Sequence, residues 1–213
     1  MNIPFGMLFN LLHLPGLSIL FGMEKQPHQK RNKSKKLSRD EWLSRALEVL
    51  SQKGSTKLRI DPLTESLGVT KGSFYWHFED RADFVKSLAE YWAQYSTEQV
   101  IEMVNTTKGS ASDRLLKLME FVCLRDLGKY DVPIRSWATQ EPAVARIVKK
   151  VDEQRLAFVR SLFSELGFKG KELDMRSRTL AVFLSFEFGS FAGGTKRARL
   201  DLLKRTHAFF TGL

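Results

Sequence analysis

Cysteine is nearly absent from this chain: Cys123 is its one thiol in 213 residues. A single cysteine excludes an intramolecular disulfide framework and a cysteine zinc site, and it suits a reducing compartment. Histidine is almost as scarce. His13, His28, His77 and His207 are scattered, and no HExxH spacing brings two imidazoles to one metal. A glycine-rich phosphate loop and a G-x-S-x-G elbow are missing as well. Cys123 lies in the apolar run FVCLRDL, where a thiol is by default a buried, inert group. The expectation is therefore a protein that is not an enzyme and needs neither cofactor nor metal. Two more absences bear on the fold. No stretch alternates with period two, and no segment repeats, which leaves an all-α chain.

Charge is missing from residues 1–23, MNIPFGMLFNLLHLPGLSILFGM. That length approaches the roughly 20 residues of a bilayer span. Pro4, Pro15, Asn10, His13 and three glycines make it a poor spanning helix, however. No basic residue precedes the apolar run and no small-residue cleavage site follows it, which argues against a secretory signal. Starting at Met23 instead gives a polar arm, MEKQPHQKRNKSKK, so the favoured reading makes residues 1–22 an upstream extension. A membrane-tethered helical regulator or scaffold anchored by residues 1–23 is the alternative.

What the chain has in excess is positive charge, formally +10. Residues 24–81 hold 13 Lys/Arg against 8 Asp/Glu, while residues 82–213 hold 21 against 16. The excess is the same in both, so it is about twice as dense in the shorter N-terminal stretch, as suits a polyanion-binding end. Residues 25–36 contain six Lys/Arg and no acid. Beside a DNA-binding element, such an arm can follow phosphates or enter a minor groove.

The chain is organised around residues 58–84, LRIDPLTESLGVTKGSFYWHFEDRADF. Asp61-Pro62 reads as a helix opening, and Gly68 stands where the helix must turn through positive φ. Thr70 can cap a second helix whose buried pair is Phe74 and Phe78. Lys71, Ser73, Tyr75, Trp76 and His77 remain on the other sides, a set of donors and aromatics that suits the DNA major groove. Ahead of it, Ser38 and Glu41 form a capping box, with Leu37 and Trp42 as its hydrophobic staple. Trp42, Ala46, Val49 and Leu50 make the apolar face of that helix, and Gly54 ends it.

This stretch resembles the DNA-binding domain of the TetR/AcrR family of bacterial transcriptional regulators, from about Leu37 to Trp92. The resemblance rests on Gly54, Leu67-Gly68-Val69, Tyr75-Trp76-His77-Phe78, Arg81 and Phe84-Val85. It implies a three-helix helix-turn-helix domain over 37–83, behind an extension and basic arm over 1–36. A larger helical ligand-binding and dimerisation domain then occupies 84–213. It further implies DNA contacts from Lys71, Ser73, Tyr75 and His77 and a phosphate contact from Arg81. Thr70, Gly72 and Trp76 complete the candidate surface. The chain departs from the family at Arg59, Asp61 and Leu63-Thr64. An acid at Asp61 is unfavourable near phosphates, and Arg59 is the candidate replacement.

Helical periodicity continues beyond Arg81 to about Val104, then from Arg114 to Leu124, Val132 to Thr139, Ala143 to Leu166, Met175 to Phe191 and Leu200 to Phe210. Residues 105–112, NTTKGSAS, read as a linker. The run Leu180 to Ala192 is apolar nearly all round, so it needs cover on every side. That cover is either the core of a monomer or a core plus a second subunit. The resemblance implies the latter, with Phe186, Phe188, Gly193 and Gly194 near a two-fold axis. Glu187 in this stripe either pairs with Arg135, Arg155 or Arg178 or serves as a pocket carboxylate. Tyr95, Phe121, Tyr130, Trp137 and Phe183 are the aromatic candidates for the pocket wall. The resemblance thus implies a cytoplasmic, nucleoid-associated homodimeric repressor. It would bind a palindromic double-stranded operator and release it when a small-molecule effector binds.

Overall fold

The computed structural model describes residues 37–186 and 195–212, which form ten α-helices. No strand occurs among the described residues. Helix α1 (Arg39–Lys53) opens with the full Ser38/Glu41 capping box and stops at Gly54, whose φ is 77°. A 3₁₀ turn (Ser55–Leu58) leads into α2 (Ile60–Leu67), which Gly68 ends in the left-handed conformation at φ 66°. This φ is what the position requires of a glycine. Helix α3 (Lys71–His77) follows after three residues, Gly68 to Thr70, and is capped by the Thr70 hydroxyl. Asp80 caps α4 (Arg81–Ala93).

Helix α2 corrects one expectation. It begins at Ile60 with Arg59 as its uncapped N-cap, one turn position before Asp61-Pro62. Pro62 still costs nothing there, because first-turn N–H groups have no intrahelical partner. Asp61 is thereby freed from capping and reaches Lys71 instead, at 2.8 Å.

Helix α4 continues through a π-helical turn (Gln94–Glu98) into α5 (Gln99–Thr106), so one rod runs from Arg81 to Thr106. Helix α6 (Ala111–Leu124) opens on a second capping box, Ser110 with Asp113. Helix α7 (Gly128–Ala138) starts four residues earlier than periodicity suggests and carries Pro133 inside it. Its first turn is pinned from outside. Tyr130 donates to Glu48, and Asp131 is held by Arg155 and Trp92, which offsets the backbone bond that Pro133 cannot make. Helix α8 (Pro142–Glu165) begins on its proline. Helices α9 (Gly170–Phe186) and α10 (Lys196–Thr211) also begin earlier than the periodicity places them.

The described residues form one compact unit with two hydrophobic clusters. The first fills the space between α1–α4 and the α7–α8 hairpin. It joins Trp42, Phe74, Phe78, Phe84 and Trp92 to Ile134, Trp137, Val144 and Val148. Buried contact thus passes across residue 84 without a break. The second cluster lies between α5, α6, the far half of α8, α9 and α10, around Leu115, Phe163, Leu180 and Leu203. Tyr95, on the π turn, packs against both. The basic arm, the apolar residues 1–23, Glu187, Phe188, Gly193 and Gly194 lie outside the described residues. Among the described residues, no helix is long and apolar enough to cross a membrane.

Candidate functional site

Helix α3 is anchored by its aromatics. Phe74 and Phe78 are fully buried against Trp42 and Phe84, with ring centroids 5.1–6.1 Å apart and mostly edge-on. Polar ties fix the remaining freedom. The Trp42 indole donates to the Ser73 hydroxyl at 3.2 Å, and His77 Nε2 donates to the Leu37 carbonyl at 2.8 Å. Arg39 donates to the His77 carbonyl at 3.0 Å and to the Ser87 hydroxyl at 2.6 Å. Ser73 and His77 therefore hold α3 in place, whatever else they touch. The Arg39 clamp escaped sequence reasoning. The tie from Trp42 was readable in principle, because a buried indole N–H needs an acceptor.

The helix presents one exposed stripe at Lys71, Gly72, Tyr75 and Trp76, the i, i+1, i+4, i+5 positions. Tyr75 is 57% exposed and Trp76 70%. A Cβ at Gly72 would meet only the Thr70 hydroxyl, at 3.7 Å, so nothing within the protein demands glycine there. Arg59 is exposed at the start of α2. The two leading cations are both held by carboxylates. Lys71 pairs with Asp61, whose hydrogen bond raises the ammonium pKa, and Arg81 pairs with Glu141 at the head of α8.

Residues 43–88 match the family described as bacterial regulatory proteins, tetR family. This stretch is similar to tetR-family domains. Over 92 residues the chain is 28% identical to the probable acrEF/envCD operon repressor of Escherichia coli K12, covering 43% of this chain. It spans about two fifths of that relative's length, since the match covers 40% of it. The fold likeness extends further. A transcriptional regulator from Rhodococcus sp. Rha1 superposes with a TM-score of 0.64 at 15% identity, over 82% of this chain and 95% of the other. A transcriptional regulator from Saccharomonospora viridis, solved in complex with choline, gives a TM-score of 0.61 at 17% identity, over 82% and 95%. Both likenesses concern the fold.

Behind this stretch the molecule holds a largely enclosed cavity of about 40 Å³. Its walls are apolar side chains of α5, α6, α8 and α9, among them Val100, Leu118, Phe158 and Leu184. One end is polar. Arg155 donates to both Asp131 oxygens, at 2.6 and 3.2 Å, to the Thr97 hydroxyl at 2.9 Å and to the Ser96 hydroxyl at 3.1 Å. Trp92 donates to Asp131 at 3.2 Å and offers its ring face to the guanidinium at 5.4 Å. Ser96 and Thr97 belong to the π turn, a feature that recurs at functional sites.

The aromatic pocket candidates are placed elsewhere. Trp137 is buried in the first cluster. Tyr130 is buried against Glu48, and burial together with that carboxylate holds its phenol far above the ordinary pKa. Tyr95 stacks on Tyr91 and meets Tyr130 edge-on, Phe121 packs beneath Arg125 at 4.1 Å, and Phe183 packs against the second cluster. None of the five lines the cavity. Of the partners considered for Glu187, Arg155 is engaged with Asp131 and Arg135 with Asp152. Glu48 also receives Lys129 at 2.8 Å, tying α1 to α7. Burial pushes its carboxyl up, but the bonds from Lys129 and Tyr130 outweigh that and leave it below the ordinary value.

Helices α9 and α10 carry exposed apolar side chains. Met175, Val182 and Phe186 lie along one side of α9, and Leu202 and Phe209 along α10. Val182 is 60% exposed and Phe209 77%.

Proposed function

We propose that the protein is a sequence-specific DNA-binding regulator of transcription, a homodimeric repressor that leaves a palindromic operator when an effector binds. It is not an enzyme. The observation that carries the reading is the exposed Lys71, Gly72, Tyr75, Trp76 stripe on a helix locked from behind by Phe74 and Phe78. A rigid helix with a donor-rich and aromatic outer face is what major-groove readout requires. Thr70, Ser73, His77, Arg59 and Arg81 are further candidate contacts. Selection of bound sequences from random DNA tests the reading directly. A half-site motif repeated about one helical turn apart is expected, and the Lys71→Ala/Tyr75→Ala variant should lose at least about tenfold in affinity. Undiminished affinity in that double variant sinks the assignment.

Arg81 carries a separate expectation. Its guanidinium must leave Glu141 to take a phosphate. Arg81→Ala is expected to weaken all sequences alike and to lower the salt-dependence slope by about one. Glu141→Gln should strengthen all sequences alike, because the competing carboxylate is gone. Binding titrations across a salt series check both, and a change confined to one operator position would contradict the phosphate role.

The second subunit is assigned to the apolar side of α9 and α10, in keeping with a run that needs cover all round. Exposed apolar side chains grouped along one side of a helix, as on α9 and on α10, mark an interaction face. Phe209→Arg should then give a folded monomer that binds a half-site weakly, since the linked second site is lost. Sedimentation at micromolar concentration decides it, and a monomeric wild type would contradict the assignment.

The effector is assigned to the interior cavity beside Arg155 and Asp131. By linkage, an effector that loosens DNA binds the DNA complex more weakly by the same factor.

A further inference from the structure

Arg155, Ala181 and Ser185 stand between two spaces. Inside lies the apolar cavity. Outside lies a vestibule of about 220 Å³ that also meets Arg135, Asp152 and Arg178 and, on the α9 side assigned above to the second subunit, Val182 and Phe186. Its charges do not balance among the described residues. Asp131 neutralises Arg155 from the inner side, and Asp152 accepts from both terminal nitrogens of Arg135. Arg178 is exposed and has neither an ion pair nor a hydrogen bond among the described residues. The Nε of Arg135 is a buried donor without an acceptor among the described residues. Among the described residues the vestibule thus holds one uncompensated cation and an unspent donor, next to an apolar interior.

From this arrangement we infer that the effector is an amphipathic anion, an aliphatic or aryl-alkyl carboxylate. Its head lies by Arg178 and Arg135, and its tail enters past Ala181 and Ser185. The inference rests on the effector reading above and gives it a ligand class. A cation would meet Arg178 while Asp131, the one carboxylate at the cavity's inner wall, is already spent on Arg155 and Trp92. A small hydrophilic anion would find nothing for the apolar walls to bury. At about 40 Å³ the inner cavity holds roughly three waters, so a tail enters only if the walls part. The π turn is one of those walls. Arg155 ties it through Ser96 and Thr97, and the turn continues without interruption into α4, which ends at Arg81.

The test uses the full-length protein in its solution assembly and four probes: decanoate, methyl decanoate, decyltrimethylammonium and acetate. Equilibrium dialysis should show decanoate binding, with the ester and the ammonium at least about tenfold weaker, because a charge-assisted contact is lost. Acetate should not bind measurably. Arg178→Gln should abolish the preference for decanoate over its ester while leaving ester binding unchanged. Arg178 has no partner within the described residues to lose, and circular dichroism verifies the fold of the variant. Equal binding of ester, ammonium and carboxylate overturns the inference, as does unchanged decanoate affinity in Arg178→Gln. The two readings fail differently. Decanoate that binds without loosening DNA refutes the effector role alone. DNA release by the ammonium or the ester, without decanoate binding, refutes the ligand class alone.

Discussion

Replacing Asp131 by alanine should cost about 3–5 kcal/mol of folding stability, the range for a buried ion pair broken on one side. Asp131 is 3% exposed and accepts from Arg155 twice and from Trp92 once. Without it, the guanidinium stays in the interior with only hydroxyls and one carbonyl as partners, and the Trp92 indole loses its acceptor. The fully buried Trp92 indole recovers no water there. Removing both charges is a different matter. An Asp131→Leu/Arg155→Met variant should regain much of the loss, because no buried charge is left uncompensated. Urea unfolding of the two single variants and the double variant closes the cycle. A loss below about 1 kcal/mol in Asp131→Ala would mean that the vestibule hydrates Arg155 well enough to stand alone. The restored double variant has a second use. It should fold and bind DNA yet lose its effector response, since Arg155 no longer ties Ser96 and Thr97 of the π turn. Trp92 variants are expected to shift that same coupling, because Trp92 lies on the rod and touches both charges.

The second large effect belongs to Phe74. Truncation to alanine should cost about 3–5 kcal/mol, as for other fully buried phenylalanines. The side chain is fully buried and meets Trp42, Tyr75, Phe78 and Phe84. Little can collapse into the space, since the buried rings around it are held on α1, on α4 and at the end of α3 itself. DNA binding should fall with stability, because the exposed stripe shares the helix. Trp76→Ala separates the two properties. At 70% exposed, Trp76 should leave the unfolding midpoint nearly unchanged while weakening specific binding by roughly 1–3 kcal/mol. Thermal melts together with binding titrations check the pair. If Trp76→Ala unfolds the domain, or Phe74→Ala melts as wild type does, the inside and outside of α3 have been misassigned.

The resemblance to a known family was carried by a short run because the helix-turn-helix domain is assembled from local signals. Ser38 with Glu41, Gly54, Gly68 and Thr70 each act within four residues of their own position, so their roles in capping and turning were legible. The Phe74/Phe78 pair was legible for the same reason: one helical turn brings both to one face. Even here the local reading missed by a step at Ile60. Nothing in Arg59-Ile60-Asp61 announces an uncapped start, and the packing of Leu63 and Thr64 fixes the phase of that helix instead. Beyond Arg81, period alone gave helices but not their ends. Gly128 to Asp131 became helical because Glu48 and Arg155, 81 and 24 residues away, hold Lys129 and Asp131.

By itself, then, the sequence determined an all-α chain, a helix-turn-helix at residues 58–84 and the inward pair of its second helix. All of these follow from interactions that span a turn or two. Only the tertiary structure decided which polar groups share the interior. Aromatic side chains at helical spacing say that a face is buried, not against what, and so Trp137 and Tyr130 went to the core beside α1. The cavity fell to Val100, Leu118, Phe158 and Leu184, unremarkable aliphatic and aromatic positions on four helices. Arg155 and Asp131 gave no signal either, since a charged residue on an amphipathic helix looks solvated until a partner is brought to it. That partner comes from another helix, and the meeting of α4, α7, α8 and α9 is set by shape and by the entropy of a whole chain closing on itself.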